Sequence, residues 1–233
     1  MPSPDDSFPA MLAALTGRYG RLESPGAGLE PFEALVATLL DRALDATRTA
    51  HALEALRDSG LLDPQALAES DPAEAAEALR SAGLKVQDKA LGPVRRVARW
   101  LVELHHGDAD RLAGVESSVA TSQLREELAA VNGVGPATAD ALLLFALGRP
   151  VYPLDRATYR VLLRHGWIDP TADYDEARDV VERLAPDDPA RLALLSSWFD
   201  RLGRDYCRAS VAKCEKCPLK PFLPEGGPID PGA

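Results

Sequence analysis

The sequence predicts an all-α fold, on three observations. Ala, Leu, Glu and Arg dominate the composition, apolar residues recur at spacings of three and four, and alternating runs of β-branched residues are scarce. No sheet of consequence is expected. With 233 residues and 46 % hydrophobic content, the chain is long enough for one large domain or two small lobes, each burying its own core.

In chain order, the periodicity places helices at 8–18, 31–46, 47–58, 64–68, 72–81, 87–106, 121–131, 136–147, 154–165, 174–184 and 189–203, with a short turn near 205–210. Breakers separate them. Ser24-Pro25-Gly26-Ala27-Gly28 precedes the second helix, Gly60 follows the third, and Gly83 and Gly107 flank the long helix at 87–106. Further on come Gly133-Val134-Gly135, Gly148-Arg149-Pro150 and Pro186-Asp187-Asp188-Pro189-Ala190. Trp100, Trp167 and Trp198 lie on apolar faces and read as core. His105 and His106 end a helix, where positive charge is favourable. The tail from Pro224, rich in Gly and Pro, is expected to be loose, and no internal repeat is present.

The formal charge of −10 argues against a protein that coats nucleic acid electrostatically, because phosphate contacts draw on Lys and Arg. The charge is uneven, however. Residues 1–80 hold 14 acids against 6 bases, whereas residues 201–220 hold 6 bases against 2 acids, so a basic face can exist on an acidic whole. The N-terminus has neither the basic nor the apolar segment of a signal peptide, and no apolar run approaches the roughly 20 residues of a membrane span. The expectation is a cytoplasmic protein without membrane association. Cys207, Cys214 and Cys217 lie within eleven residues; their odd number and the missing secretory signal argue against a disulfide framework and point to a metal.

The segment Leu128 to Asp140 ends one apolar-periodic helix and begins another across Val131-Asn132-Gly133-Val134-Gly135-Pro136. Gly133 and Gly135 permit positive φ and close backbone approach, Val134 can bury its side chain between the helices, and Pro136 suits the first position of the next helix. Free N–H groups at such a helix start can hold a phosphate without a cationic side chain. The alternative is a plain helix–helix connection. Eighteen residues beyond Ala137, after Gly148-Arg149-Pro150-Val151-Tyr152-Pro153-Leu154, comes Asp155, followed by Arg156-Ala157-Thr158-Tyr159-Arg160. Locally Asp155 reads as an N-cap; its distance from the hairpin makes catalysis the preferred reading.

This pattern, a hairpin, a Gly/Pro-rich turn and an Asp opening the next helix, resembles the helix-hairpin-helix–Gly/Pro–Asp (HhH-GPD) superfamily of DNA glycosylases. The terminal Gly203-Arg204-Asp205-Tyr206-Cys207, continued by Cys214, Cys217 and Pro218, resembles the iron–sulfur loop of its endonuclease III branch. The likeness runs from about Pro31 to Lys220. Gly133 to Asp140 and Leu61-Leu62-Asp63-Pro64 look most like branch members that remove alkylated purines such as 3-methyladenine.

The resemblance implies a two-lobed helical fold. Residues 24–149 would form a six-helix barrel carrying the hairpin, and residues 1–23 with 150–233 a second lobe with the cysteine loop. It implies a base-excision repair enzyme that flips a damaged base from double-stranded DNA and cuts its glycosidic bond, acting as a monomer. Asp155 takes the catalytic carboxylate's place, stabilising positive charge on the sugar and orienting or deprotonating water. The hairpin residues Asn132, Gly133, Val134, Gly135 and Ala137 are expected at the DNA backbone.

Three departures from the family pattern bear on function. Bifunctional members carry a Lys at the position of Ala137, so the resemblance implies hydrolysis without β-lyase chemistry. Where relatives place a Gln or Asn that fills the gap left by the flipped base, this chain has Asp41-Arg42-Ala43; Arg42 is either a plug or a solvated residue. The opposite wedge falls at Gly83 to Gln87, with Leu84 and Gln87 as candidates and core packing as the alternative for Leu84. The family's fourth Cys would fall at Leu223. A [4Fe-4S] cluster on Cys207, Cys214 and Cys217 would then need a non-Cys ligand or solvent, with Asp205, Glu225 and Asp230 within reach in sequence. A zinc site and an empty loop are the alternatives; no His lies nearby in sequence. Tyr152 could line the base pocket or simply pack, and Asp140 reads as solvated or capping. A catalytically weak or inactive, damage-sensing DNA-binding protein of the same fold is the alternative function; a bifunctional enzyme for oxidised pyrimidines is opposed by Ala137.

Overall fold

The computed structural model describes residues 4–20 and 26–229. Contacts divide the chain into two compact units, Pro25–Arg149, and Met1–Ser24 with Pro150–Ala233. Among the described residues every regular element is helical, apart from one isolated bridge between Cys207 and Ala212.

The Pro25–Arg149 unit contains α2 (Pro31–Leu40), α3 (Ala46–Asp58), α4 (Pro64–Glu69), α5 (Pro72–Ser81), α6 (Asp88–His105), α7 (Thr121–Ala130) and α8 (Pro136–Ala141), numbered after α1 (Pro4–Tyr19) of the other unit. All residues of α2 from Ala34 to Leu40 are buried, and this helix packs on α3 and α6 as the unit's centre. Aspartates start the surrounding helices. Asp45 accepts from the Arg48 N–H at 2.9 Å, Asp63 from Ala66 at 2.9 Å and Asp71 from Ala73 at 2.8 Å, each satisfying an otherwise unpaired first-turn donor. α6 ends on His106 in the left-handed region (φ 57°), followed by Gly107.

The other unit joins α1 to α9 (Arg156–Arg164), α10 (Tyr174–Leu184) and α11 (Pro189–Asp205). α9 and α11 approach so closely that a Cβ added to Gly203 would stand 2.5 Å from the Ala157 Cβ, so only glycine fits there. Trp198, 2 % exposed, donates from its indole N–H to the Gly20 carbonyl at 2.9 Å, tying α11 to the end of α1. Trp100 and Trp167 are buried as well.

Three boundaries differ from the sequence expectation. The helix expected over 31–46 stops at Leu40, because Asp45 takes the capping position of α3 and the chain must leave the helix to place it there. The helix expected over 136–147 changes pitch: Leu142–Ala146 is wound as a π-helix, closed by the Leu147 N–H on the Leu142 carbonyl at 3.1 Å. The turn expected near 205–210 gives way to a longer α11 and to 3-10 turns at Cys214–Lys216 and Lys220–Phe222. No described helix is long and apolar enough to cross a membrane.

His105 does more than complement a helix dipole. Its Nε2 lies 2.7 Å from Glu127 on α7, whose carboxylate also accepts from the Trp100 indole at 3.2 Å and from Gln123 at 2.8 Å. Burial alone would raise the Glu127 pKa, but hydrogen bonds from Gln123, His105 and Trp100 outweigh it and hold it below the ordinary value. A carboxylate depressed in this way contributes stability that is present above its unfolded pKa, near 4.3, and is lost as pH falls through the folded value. Glu127→Gln is therefore expected to cost about 1 kcal/mol at neutral pH, and urea denaturation should show this difference shrinking as the pH drops below about 4.

Candidate functional site

The hairpin is held from two sides by arginines. On one, Arg125 of α7 grips Asp140 of α8 in a fork, Nε to Oδ1 at 2.6 Å and Nη2 to Oδ2 at 3.3 Å. Asp140 is completely buried, so the solvated or capping role expected from sequence is corrected: its charge is internal and paired. On the other side, Arg96 of α6 donates from Nε to the Asn132 carbonyl at 2.6 Å.

Between these anchors, Val134 is buried at 2 % exposure, while Asn132, Gly133 and Gly135 are exposed and Ala137 half-buried. Gly133 has φ 85°, and a Cβ there would stand 2.9 Å from Arg96 Nη2 and 3.1 Å from Pro93 Cγ. Both facts demand glycine. Gly135 does not need positive φ; it is extended (φ −84°, ψ 174°), and the space where its side chain would lie is open. The N–H groups of Gly133, Gly135 and Ala137 take no hydrogen bond among the described residues, leaving a row of donors for an external acceptor.

Asp155 opens α9. Its Oδ1 accepts from the Thr158 N–H at 2.6 Å, so it is an N-cap, and its side chain is exposed. Tyr152 is fully buried, its hydroxyl 2.8 Å from the Thr158 Oγ1; this is packing, and burial pushes its phenol well above the ordinary value. Arg42 and Gln87 are exposed, and Gln87 stands at the N-cap of α6 without capping it. Leu84 is buried at 6 % exposure, with its N–H on the Leu79 carbonyl at 2.9 Å.

The three cysteines line one small pocket together with Leu202, Leu223, Arg164, His165 and Lys220. The guanidinium of Arg164 donates to Cys207 Sγ at 3.1 Å and to the Arg208 carbonyl at 2.9 Å. Burial raises the Cys214 thiol, and raises that of Cys217 to about 11. His165, distant in sequence, is brought beside the cysteines, but its ring nitrogens face the Val161 and Leu219 carbonyls at 2.7 and 3.3 Å. Leu223 supplies an apolar wall and no ligand. Asp205 receives the Tyr19 hydroxyl at 3.3 Å, Glu225 is exposed, and Asp230 lies outside the described residues.

Among the described residues, no three His, Cys, Asp or Glu side chains are gathered tightly enough for a single ion. A mononuclear zinc site requires that gathering, because every ligand reaches one centre at about 2.0–2.3 Å. A four-iron cluster gives each thiolate its own iron, so its ligands stand farther apart. Three thiols lining one pocket, with Arg164 and Lys220 to offset thiolate charge, are the ligand type a four-iron cluster uses.

No family model matches the chain. A protein of Methanocaldococcus jannaschii named as a DNA repair glycosylase is 30 % identical over 192 residues, covering 82 % of this chain and 84 % of its own. The Thermotoga maritima endonuclease III is 26 % identical over 191 residues, 82 % of this chain and 81 % of the other. Among solved structures, a trapped endonuclease III–DNA covalent intermediate matches with a TM-score of 0.69 at 19 % identity, over 98 % of this chain and 97 % of that one. The H. pylori 3-methyladenine DNA glycosylase bound to 1,N6-ethenoadenine matches with a TM-score of 0.58 at 17 % identity, over 85 % and 97 %. The fold is thus that of the helix-hairpin-helix DNA glycosylases. The chain belongs to the endonuclease III family of DNA repair glycosylases.

Removing one partner of a buried ion pair leaves an uncompensated charge. Asp140→Ala is expected to lower stability by about 3–5 kcal/mol, and Arg125→Met with Asp140→Leu by much less. Chemical denaturation of the three chains in parallel checks this.

Proposed function

We propose that the protein is a monofunctional DNA base glycosylase acting as a monomer on duplex DNA that carries a damaged base, with alkylated purines as the substrate class. The observation that carries this reading is Asp155, a carboxylate exposed at the head of α9 and fixed by the Thr158 N–H; Ala137, at the position where bifunctional relatives carry a Lys, offers no nucleophile. A carboxylate fixed in this way stabilises the developing sugar cation and orients or deprotonates water, so hydrolysis leaves an abasic site. Capping and catalysis are compatible, because the cap uses one oxygen and holds the orientation of the other.

The hairpin donors of Gly133, Gly135 and Ala137 would take a backbone phosphate, with Asn132 beside them and Val134 holding the turn to the core. Arg42 would fill the gap of the flipped base, and exposed Gln87, rather than buried Leu84, would wedge the opposite strand. Cys207, Cys214 and Cys217 would hold a [4Fe-4S] cluster, with solvent or a non-Cys group at the fourth position. Such a cluster would order the basic loop that follows α11.

Excision is expected on duplexes bearing alkylated purines, with strand nicks that appear only after alkali, and Asp155→Asn should lower the rate by at least about a hundredfold. Nicking without alkali would overturn the hydrolytic assignment, and binding without release from any damaged duplex would favour an inactive damage sensor. Protein purified without oxygen should carry about four irons per chain, and Cys214→Ser should lose most of them; zinc in the native chain would displace the cluster assignment.

A further inference from the structure

A pocket of about 440 Å³ lies within the Pro25–Arg149 unit, between α5 and α6; of the hairpin residues and the arginines that hold them, only Arg96 lines it. Its floor is apolar, with Leu67 and Val94 among the lining, and four arginines line it: Arg80, Arg95, Arg96 and Arg99. In a chain with ten more acids than bases, such a concentration of guanidinium groups is a local reversal of charge. Of the acids, Asp71 lines the pocket but is already engaged as the cap of α5, and Glu77 pairs with Arg80.

The other three arginines are less occupied. Arg99 reaches the Ala68 carbonyl only at 3.5 Å, and Arg96 spends its Nε on the Asn132 carbonyl. Arg95 makes no side-chain hydrogen bond or ion pair among the described residues, and its Nε is buried without a partner. A buried guanidinium N–H without an acceptor is a cost that an incoming anion removes. The volume suits a small organic ligand, and an apolar floor under a guanidinium rim suits one with a flat body and an anionic end.

We infer that this pocket binds a nucleoside 5′-phosphate unit, the phosphate on Arg95, Arg96 and Arg99 and the base over Leu67 and Val94. Preference for an anion follows from the pocket alone; the choice of a nucleotide rests on the reading of the adjoining hairpin as a DNA-backbone site, which Arg96 touches. The unit could come from a free nucleotide or from the phosphorylated end of a DNA strand.

The test is calorimetric titration of the intact protein with deoxynucleoside 5′-monophosphates, the matching nucleosides and inorganic phosphate. Saturable binding is expected for the monophosphates, at least about tenfold tighter than for phosphate alone and absent for nucleosides. Arg95→Gln removes no internal hydrogen bond and should weaken binding about tenfold or more. Ala73→Glu places a carboxylate at the exposed first turn of α5 on the pocket's rim, where the helix tolerates it, and should weaken binding in the same direction.

No saturable binding of any monophosphate, binding unchanged in both variants, or preference for an acidic peptide over nucleotides would each overturn the inference. Competition by a 5′-phosphorylated strand, but not by its 5′-hydroxyl twin, identifies the strand end as the source; binding of monophosphates without such competition identifies the free nucleotide. Duplex binding by the native chain and by Gly133→Ala is measured alongside. Loss of the hairpin reading alone leaves the monophosphate titration intact, whereas loss of the pocket alone leaves hairpin-dependent duplex binding intact.

Discussion

The hairpin depends on a charge buried where a charge is expensive. Asp140 has no solvent exposure, and a carboxylate in that position is tolerable only when its oxygens are met by a well-aligned cation. Arg125 meets both, from the helix on the other side of the turn. The pair therefore fixes the crossing of α7 and α8 and with it the path of Val131 to Gly135. Arg96 completes the constraint from α6 by holding the Asn132 carbonyl, so that the exposed donors of the turn are presented by a backbone clamped at both ends. Glycine at 133 is the consequence: the clamp sets φ at 85° and fills the space a side chain would need.

In the other unit a single nine-residue helix, α9, carries the comparable burden. Asp155 caps its N-terminus. From its middle, Arg160 donates to the Cys207 carbonyl at 3.1 Å, and from its end Arg164 reaches the Cys207 sulfur and the Arg208 carbonyl. The close approach of Gly203 to Ala157 fixes α11 against the same helix. The proposed catalytic carboxylate and the cysteine loop are thus set on one rigid rod. On this reading a cluster acts at a distance from the chemistry, by fixing the far end of the helix that orients Asp155.

Much of this was legible in the sequence, because helix periodicity, Pro at helix starts and the Gly133-Val134-Gly135-Pro136 turn are local signals. What was not legible depended on distant partners. The burial of Asp140 is set by Arg125, fifteen residues away, and a polar residue on a helix gives no local sign of being internal. His165 reaches the cysteine pocket only because α9 packs under the loop, 54 residues from the Leu219 carbonyl it faces. The π-turn at Leu142–Ala146, which packs against α2, has no marker in its run of Leu, Phe and Ala. Asp45 was a readable signal that the periodicity obscured: apolar spacing runs through 40–46, but a capping Asp overrides it. Asp155 carried two readings in the sequence: the structure shows the cap, and the catalytic role is the proposal, which needs only the carboxylate oxygen that the cap does not use.

The acidity of the chain then has a physical place in the proposed function. At physiological ionic strength charges are screened over about 8 Å, so a net charge of −10 spread over the whole surface weighs less at a contact than the groups within that distance. In that proposal the backbone N–H donors of the hairpin would hold a phosphate without contributing a formal charge, and Arg96 of α6 holds the turn that presents them. An exterior with a net excess of acids disfavours indiscriminate coating of DNA, because many non-specific orientations bring like charges together. A protein of this kind would hold duplex DNA chiefly in the register that puts phosphates on the hairpin, and that register is the one a base-flipping enzyme needs before it can test a base.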